Sequence, residues 1–200
     1  TLLAIIIYFR KDLARLIYAL FNHAKDPSYN RLAWNIGWAS FPAGVIGLIG
    51  GNFIEQELRS PTFVAWNLLF WSFVFFAIER YSSGQKLNES DISEMTLGKV
   101  LFIGFAQAIA LLPGTSRSGI TIAGGMLVNL SPTSAARFSF LLGAPIILAA
   151  GAHKTLHFLS APVNSVHLSG LQLGVGLFIS FIVGYFAIKL LLGIVSRLGL

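Results

Sequence analysis

The sequence predicts an all-α polytopic membrane protein, a transmembrane helix bundle that includes one re-entrant helix–loop–helix. Three observations carry this. Of 200 residues, 55% are hydrophobic and 11% charged, against about 25% charged in soluble domains, and the mean hydropathy is +0.74. Apolar runs long enough to span a bilayer alternate with short polar stretches. Between them lies Leu111-Leu112-Pro113-Gly114-Thr115-Ser116-Arg117-Ser118-Gly119-Ile120-Thr121. It is flanked by apolar runs at 100–112 and 120–130, each shorter than the roughly 20 residues a crossing needs. Pro113, Gly114 and Gly119 break helical continuity, and irregular backbone at membrane depth survives only inside protein or beside a watery cavity. The simplest solution is a pair of half-helices that turns back, with Arg117 at the tip.

The remaining elements follow in order. The first apolar run, 1–9, stops at Arg10 after too few residues to span. It has neither a basic leader nor a small-residue cleavage site, so it reads as the end of a transmembrane helix and not as a signal peptide. The chain is therefore expected to be a single integral membrane domain and a fragment. In the basic stretch that follows, Leu13, Leu16, Ile17 and Leu20 keep helical spacing, and 22–31 reads as a polar loop. A span is expected over 32–51, kinked at Pro42, with Gly44, Gly47, Gly50 and Gly51 as a small-residue face for close packing. Residues 53–59 read as a turn bearing Glu55 and Glu57.

Ser60-Pro61 has the signature of an N-cap followed by proline at the first helical position. The helix it opens, 61–78, carries Trp66, Phe70, Trp71, Phe73, Phe75 and Phe76, expected to face lipid or core. Residues 79–95 form the one long polar loop, closed by Asp91 and Glu94, and Thr96 is expected to cap the first half-helix. Beyond the central loop Ser131-Pro132 repeats the cap signature and opens a helix over 132–152, kinked near Pro145. Residues 153–167 read as a loop and 168–194 as a full span.

Charge supports the turning-back reading. The net charge is +6, but the basic residues are scattered between apolar segments, which argues against nucleic acid and for an orienting bias of basic loops. If 100–130 turns back, Arg10, Lys11, Arg15, Lys25, Arg31, Arg80, Lys86, Lys99, Arg137 and Arg197 share one side, and Arg59 and Lys154 the other. If it crossed, Arg137 and Arg197 would change sides and weaken the bias. Cysteine is absent, which excludes disulfides and thiol chemistry.

The loop has the chemistry of an anion receptor. An arginine at the centre of a membrane helix costs about 2.5–3.5 kcal/mol on insertion scales, so it is rarely present without a task. Its planar fork of donors matches phosphate or carboxylate oxygens. Gly114 and Gly119 let backbone N–H groups come close, a half-helix starting near Ser118 adds its positive end, and Ser116, Ser118 and Thr121 add hydroxyls. The competing reading has Arg117 paired to a carboxylate or capping carbonyls. No Asp or Glu follows Glu94, so this half of the chain supplies neither a carboxylate base nor carboxylate metal ligands. His153 and His157 stand four residues apart without a third ligand and read as interfacial residues, and His23 and His167 carry no stronger signal.

These residues resemble the bacterial undecaprenyl-pyrophosphate phosphatases, also called bacitracin-resistance proteins. The central match is Pro113-Gly114-Thr115-Ser116-Arg117-Ser118-Gly119-Ile120-Thr121, the family's P-G-x-S-R-S-G-x-T element, followed by Gly124-Gly125-Met126. It extends to Ala106-Gln107, to Ser131 and Ala135, to Phe138-Ser139-Phe140 with Pro145, and to Phe41-Pro42 and residues 93–96. The resemblance implies that Arg117 binds and neutralises a pyrophosphate with Ser116, Ser118 and Thr121 beside it, and that Gly114, Gly119 and Gln107 contact substrate. It implies a membrane-embedded lipid phosphatase of the bacterial cytoplasmic membrane that converts a C55 polyprenyl pyrophosphate to the monophosphate for cell-wall synthesis, and so confers bacitracin resistance. It also implies a divalent cation, Mg2+ or Ca2+, whose ligands are expected outside this chain, contact with membrane lipids, and no nucleic acid; a homodimer stays open.

The family's second signature, an E-x-x-x-E run followed by P-V-S-S-T-G-H, has no counterpart here and is expected upstream of Thr1. It carries the acidic residues, serine and histidine of the family's site, so the resemblance implies a fragment that lacks the N-terminal re-entrant segment and the last transmembrane helix. The alternative function is a transporter or flippase of a polyprenyl phosphate, because broken half-helices with positive ends at an anion also serve secondary transporters. The acid-phosphatase-related lipid phosphatases need a histidine and an aspartate soon after the arginine and are set aside.

Overall fold

The computed structural model describes residues 1–82, 91–160 and 170–198. Eight helices are present among them: α1 (Leu2–Tyr8), α2 (Arg10–Phe21), α3 (Pro27–Glu57), α4 (Pro61–Ser82), α5 (Leu97–Ile109), α6 (Arg117–Leu127), α7 (Pro132–Ser160) and α8 (Gly170–Leu198). Four are long and apolar enough to cross a membrane, over Pro27–Gly51, Pro61–Ser82, Pro132–Ala152 and Gly170–Ser196. The chain is thus an all-α, multi-pass membrane protein. In hydrocarbon, helices satisfy every backbone group internally, which is why no other element is needed for the crossing.

α7 is the centre. Phe138, Leu141 and Leu142 on it are fully buried and join Ile103 of α5, Leu130, and Ile5 and Phe9 of the N-terminal helices in one core. α4 and α8 lie outside, with Trp66, Phe70, Phe73 and Phe76 of α4 exposed as a lipid-facing stripe. Trp71 and Phe75 are half-buried instead, and the Phe75 ring packs at Gly119.

α5 has 13 residues and α6 has 11, about 20 and 16 Å of helix against a hydrocarbon core of about 30 Å. Gly124 lies beside Ile103 and Ala106, so α6 runs back along α5. The start of α7 confirms the turn. Asp91, Ile92 and Ser93, just before α5, line the same cavity as Ser131, Ser134 and Arg137. A crossing pair would put those two groups at opposite ends of the bundle. At this end Arg137 of α7 pairs with Asp12 of α2, Tyr29 of α3 donates to the same carboxylate at 2.9 Å, and Arg137 donates to Tyr29 Oη at 3.1 Å.

Several expectations need correction. The polar loop placed at 22–31 is shorter, since α3 starts at Pro27 with Asp26 as its cap, accepting from the Tyr29 N–H at 3.4 Å. Asp26-Pro27 is the same cap-and-proline signature as Ser60-Pro61 and Ser131-Pro132. Those two do cap, with Ser60 accepting from Phe63 N and Ser131 from Ser134 N, both at 3.2 Å. α3 also runs through the turn expected at 53–59 to Glu57. α4 runs to Ser82 into the expected long loop; residues 83–90 of that loop, Lys86 included, lie outside the described residues. Thr96 occupies the N-cap position of α5 without a side-chain bond.

α7 continues to Ser160 through the first half of the loop expected at 153–167, whose second half, with His167, is outside the described residues, as are the side chains of His153 and His157. In α2 the buried stripe is Leu16 and Ala19 with Leu13 packed beside it, whereas Ile17 and Leu20 are exposed.

The glycine face of α3 does not pack as expected. Gly44 and Gly51 have no neighbour within 4 Å of a Cβ position, and Gly47 meets only the side chain of Leu111. The tight crossing of α3 and α5 is made from the other helix: a Cβ at Gly104 would stand 2.7 Å from the carbonyl oxygen of Ala39. Backbone cannot yield as a side chain can. Gly104→Ala is expected to destabilise the bundle by about 1–3 kcal/mol through overpacking, read as a lowered unfolding temperature in detergent, while Gly51→Ala leaves it unchanged or higher.

Candidate anion site at the start of α6

The loop between α5 and α6 is held from α4. Asn67 Nδ2 donates to the Pro113 carbonyl and to Thr115 Oγ1, both at 2.8 Å. Gly114 has φ +93°, and a Cβ there would also stand 2.8 Å from the Val64 carbonyl oxygen. At Gly119 a Cβ would meet the Phe75 ring at 2.8–2.9 Å. The two glycines expected to give an anion room are therefore required by the turn and by α4. The tip of the hairpin is Pro113-Gly114. Arg117, expected at the tip, is the first residue of α6.

Each hydroxyl has its own position. Ser116 is exposed and caps α6, accepting from the Gly119 N–H at 3.2 Å. With Ile120 N bonded to Ser116 O, the Arg117 and Ser118 N–H groups are left without a helical partner. Ser118 is half-buried beside them. Thr121 does not join them. It is 1% exposed, donates to the Arg117 carbonyl at 2.8 Å, and sits at hydrogen-bond distance, 2.6 Å, from Ser139 Oγ of α7. Thr121 thus locks α6 to α7 and is a positioning residue, not a ligand donor. Gln107 is likewise buried, its amide nitrogen 3.4 Å from the Ala39 carbonyl and its Oε1 without a partner among the described residues.

Arg117 turns inward against α7. A Cβ at Gly143 would fall 2.6 Å from Nη2 and 2.7 Å from Cζ, so the guanidinium fills the space that glycine leaves. Its Nη1 is buried with no hydrogen-bond partner among the described residues. The reading in which Arg117 pairs with a carboxylate finds no such pair there. A buried, uncompensated cationic donor is costly, and it lies at a helix N-terminus, which favours anions by dipole and by free N–H groups. The indole Nε1 of Trp71, beside Phe75 with ring centroids 5.7 Å apart, is a second buried donor without a partner among the described residues.

Sequence reasoning missed Asn67, Ser139 as a partner, and Gly143. The signal for Asn67 was present: a lone amide in an otherwise apolar, aromatic span. Gly143 has no sequence signal, because only the fold brings Arg117 to it. Asn67→Ala is expected to lower kcat about 10-fold with little change in KM, since two hydrogen bonds worth roughly 1 kcal/mol each fix the loop rather than the ligand. An equal fall in kcat/KM caused by KM alone would contradict a positioning role.

No three His, Asp or Glu side chains converge among the described residues. None of the described residues is therefore assigned to a divalent cation, and no chemical step is routed through one.

Residues 1–200 match the family described as "Bacitracin resistance protein BacA". The chain is 40% identical over 203 residues to an undecaprenyl-diphosphatase of Saccharophagus degradans, covering 100% of this chain and 73% of the relative. It is 36% identical over 207 residues to an undecaprenyl-diphosphatase of Colwellia psychrerythraea, covering 100% and 75%. Against undecaprenyl-diphosphatase 2 of Stutzerimonas stutzeri the figures are 36% over 209 residues, 100% and 74%. With the P-G-x-S-R-S-G-x-T loop folded into a re-entrant hairpin and the match running from end to end, the chain belongs to the bacitracin resistance protein BacA family.

Proposed function

We propose that this membrane protein hydrolyses undecaprenyl pyrophosphate to undecaprenyl phosphate and inorganic phosphate, and so recycles a lipid carrier for cell-wall synthesis in the bacterial cytoplasmic membrane. The observation that carries the reading is the buried, unpartnered Nη1 of Arg117 at the N-terminus of α6. The head that carries it lies at that N-terminus, where its other N–H groups and the free backbone N–H groups of Arg117 and Ser118 favour a multiply charged anion. Water attacks the terminal phosphorus and gives up one proton to solvent, the other staying on the inorganic phosphate, while the bond from that phosphorus to the bridging oxygen breaks and the lipid monophosphate leaves. Arg117 and the free N–H groups of Arg117 and Ser118 neutralise the charge spread over the phosphoryl oxygens and the leaving group. Ser116 and Ser118 add hydroxyls at the mouth, while Thr121 and Ser139 hold α6 in register.

The test is product analysis. The purified protein in detergent is expected to release inorganic phosphate and lipid monophosphate in equal amounts from undecaprenyl pyrophosphate. Recovery of bound, unaltered pyrophosphate would overturn hydrolysis and favour movement of the lipid. Transport without bond cleavage has no observation of its own in its favour.

A further inference from the structure

We propose that α2 lies along the membrane surface and binds the anionic headgroups of a bilayer, with one flank among the acyl chains and the next against lipid phosphates. The chain bends at Phe9, which stands between α1 and α2 outside helical geometry, with φ −97° and ψ 20°. Its ring packs near Phe140 of α7, with centroids 6.1 Å apart, so the bend is anchored in the core.

Beyond the bend α2 crosses the end of α3 instead of pairing along it. The Asp12 carboxylate accepts from the Tyr29 hydroxyl at 2.9 Å, and Arg15 reaches Asp26 at 2.8 Å with its head 3.9 Å from the centre of the Tyr29 ring. The Ala19 carbonyl accepts from Asn30 Nδ2 at 2.7 Å. These bonds leave two turns of α2, yet every partner falls within positions 26–30. An antiparallel pair with Ala19 at Asn30 would carry Asp12 about two turns further along α3. α3 is a spanning helix, so a helix laid across its end runs close to the membrane plane.

The side of α2 turned away from the core is divided in two. Leu13, Leu16 and Ala19 face the bundle. At about 100° per residue, Ile17 and Phe21 share one outer flank and are 61% and 83% exposed, while Lys11, Arg15 and Tyr18 share the next. Apolar and basic flanks side by side on one short helix are the pattern of an interfacial helix. Asp12 and Asp26 are neutralised by Arg137 and Arg15. That leaves Arg10, Lys11, Lys25 and Arg31 exposed, with no carboxylate partner among the described residues. These cations complement a leaflet of anionic lipid, whereas a second copy of the same surface would set like charges together.

The chain has no cysteine, so a single introduced thiol reports local lipid contact. The full protein with Phe21→Cys, carrying a fluorophore there, is reconstituted in phosphatidylcholine vesicles. The vesicles contain a fixed minor share of lipid brominated on its acyl chains, either phosphatidylglycerol or phosphatidylcholine. Brominated phosphatidylglycerol is expected to quench about threefold more than brominated phosphatidylcholine. A label at Leu171→Cys, at the start of α8 and 79% exposed in the unaltered chain, is expected to show no preference. Arg10→Gln, Lys11→Gln and Lys25→Gln together are expected to bring the two lipids to equal quenching at position 21. Equal quenching without those changes would overturn the anionic assignment. A label at position 21 quenched by neither lipid, whether it lies in water or under protein, would overturn the interfacial placement. The same preference at position 171, or one that survives the triple change, would overturn the assignment to these cations.

Discussion

Arg117→Ala is expected to lower turnover of undecaprenyl pyrophosphate about 1,000-fold while the protein still inserts and folds. The magnitude follows from what the group does. Removing a donor preorganised for developing charge costs about 10²–10³ in rate, and an arginine that stabilises a transferring phosphoryl group is worth about 10³–10⁵. Stability should move the other way, because the guanidinium carries a buried Nη1 without a partner and alanine removes that penalty. Arg117→Lys keeps the charge but loses the planar fork, so it should restore only part of the rate. Turnover near wild type in Arg117→Ala, measured as phosphate release, would exclude Arg117 from the chemistry.

Gly143→Ala is expected to lower turnover about 100-fold without unfolding the protein, although the residue is on another helix. Its Cβ would overlap the Arg117 guanidinium. The atoms in the way are the far end of a flexible side chain, so the chain relieves the clash by moving the arginine head, at small energetic cost. Alanine also improves helix propensity by about 0.8–1 kcal/mol over glycine, which offsets what overpacking remains. Stability is thus nearly unchanged, yet the guanidinium is displaced, and a misplacement of about 1 Å at a reacting centre costs roughly 10²-fold. An unfolding temperature within about two degrees of wild type, together with the fall in kcat, is the expected pair. Full activity would mean that Arg117 works from another position.

The contrast with Gly104→Ala separates two uses of glycine. At Gly104 the obstacle is the Ala39 backbone and the loss is in stability; at Gly143 it is an arginine head and the loss is in rate. Neither was legible in the sequence, where the eye goes to Gly44, Gly47, Gly50 and Gly51, a stripe that the fold leaves mostly open. Close packing depends on which helix a residue faces, and single-chain spacing does not encode that.

What was legible depended on local chemistry. The caps at Ser60 and Ser131 and the short apolar runs around Pro113-Gly114 follow from hydrogen bonding within a few residues and from bilayer thickness. They placed the starts of α4 and α7 and the hairpin between α5 and α6 correctly, but not the far ends of α4 and α7. The start of α3 at Asp26-Pro27 followed from the same rule but was masked by the polar residues around it. In the site, the loop's charge and its helix start were readable. Thr121 was not, because a threonine one turn into a helix faces either the ligand or the neighbour, and only the fold shows Ser139 2.6 Å away. Asn67 reaches the loop from 46 residues upstream, a contact no local pattern announces.

The central claim is that the guanidinium of Arg117, at the start of α6, receives the pyrophosphate. The most direct measurement is the affinity of the protein and of Arg117→Ala for undecaprenyl methylenebisphosphonate, in which carbon replaces the bridging oxygen so that binding is separated from turnover. A loss of at least 100-fold in Arg117→Ala, with the lipid monophosphate affected less, is the predicted result. Equal affinity of the two proteins would contradict it and place the anion elsewhere.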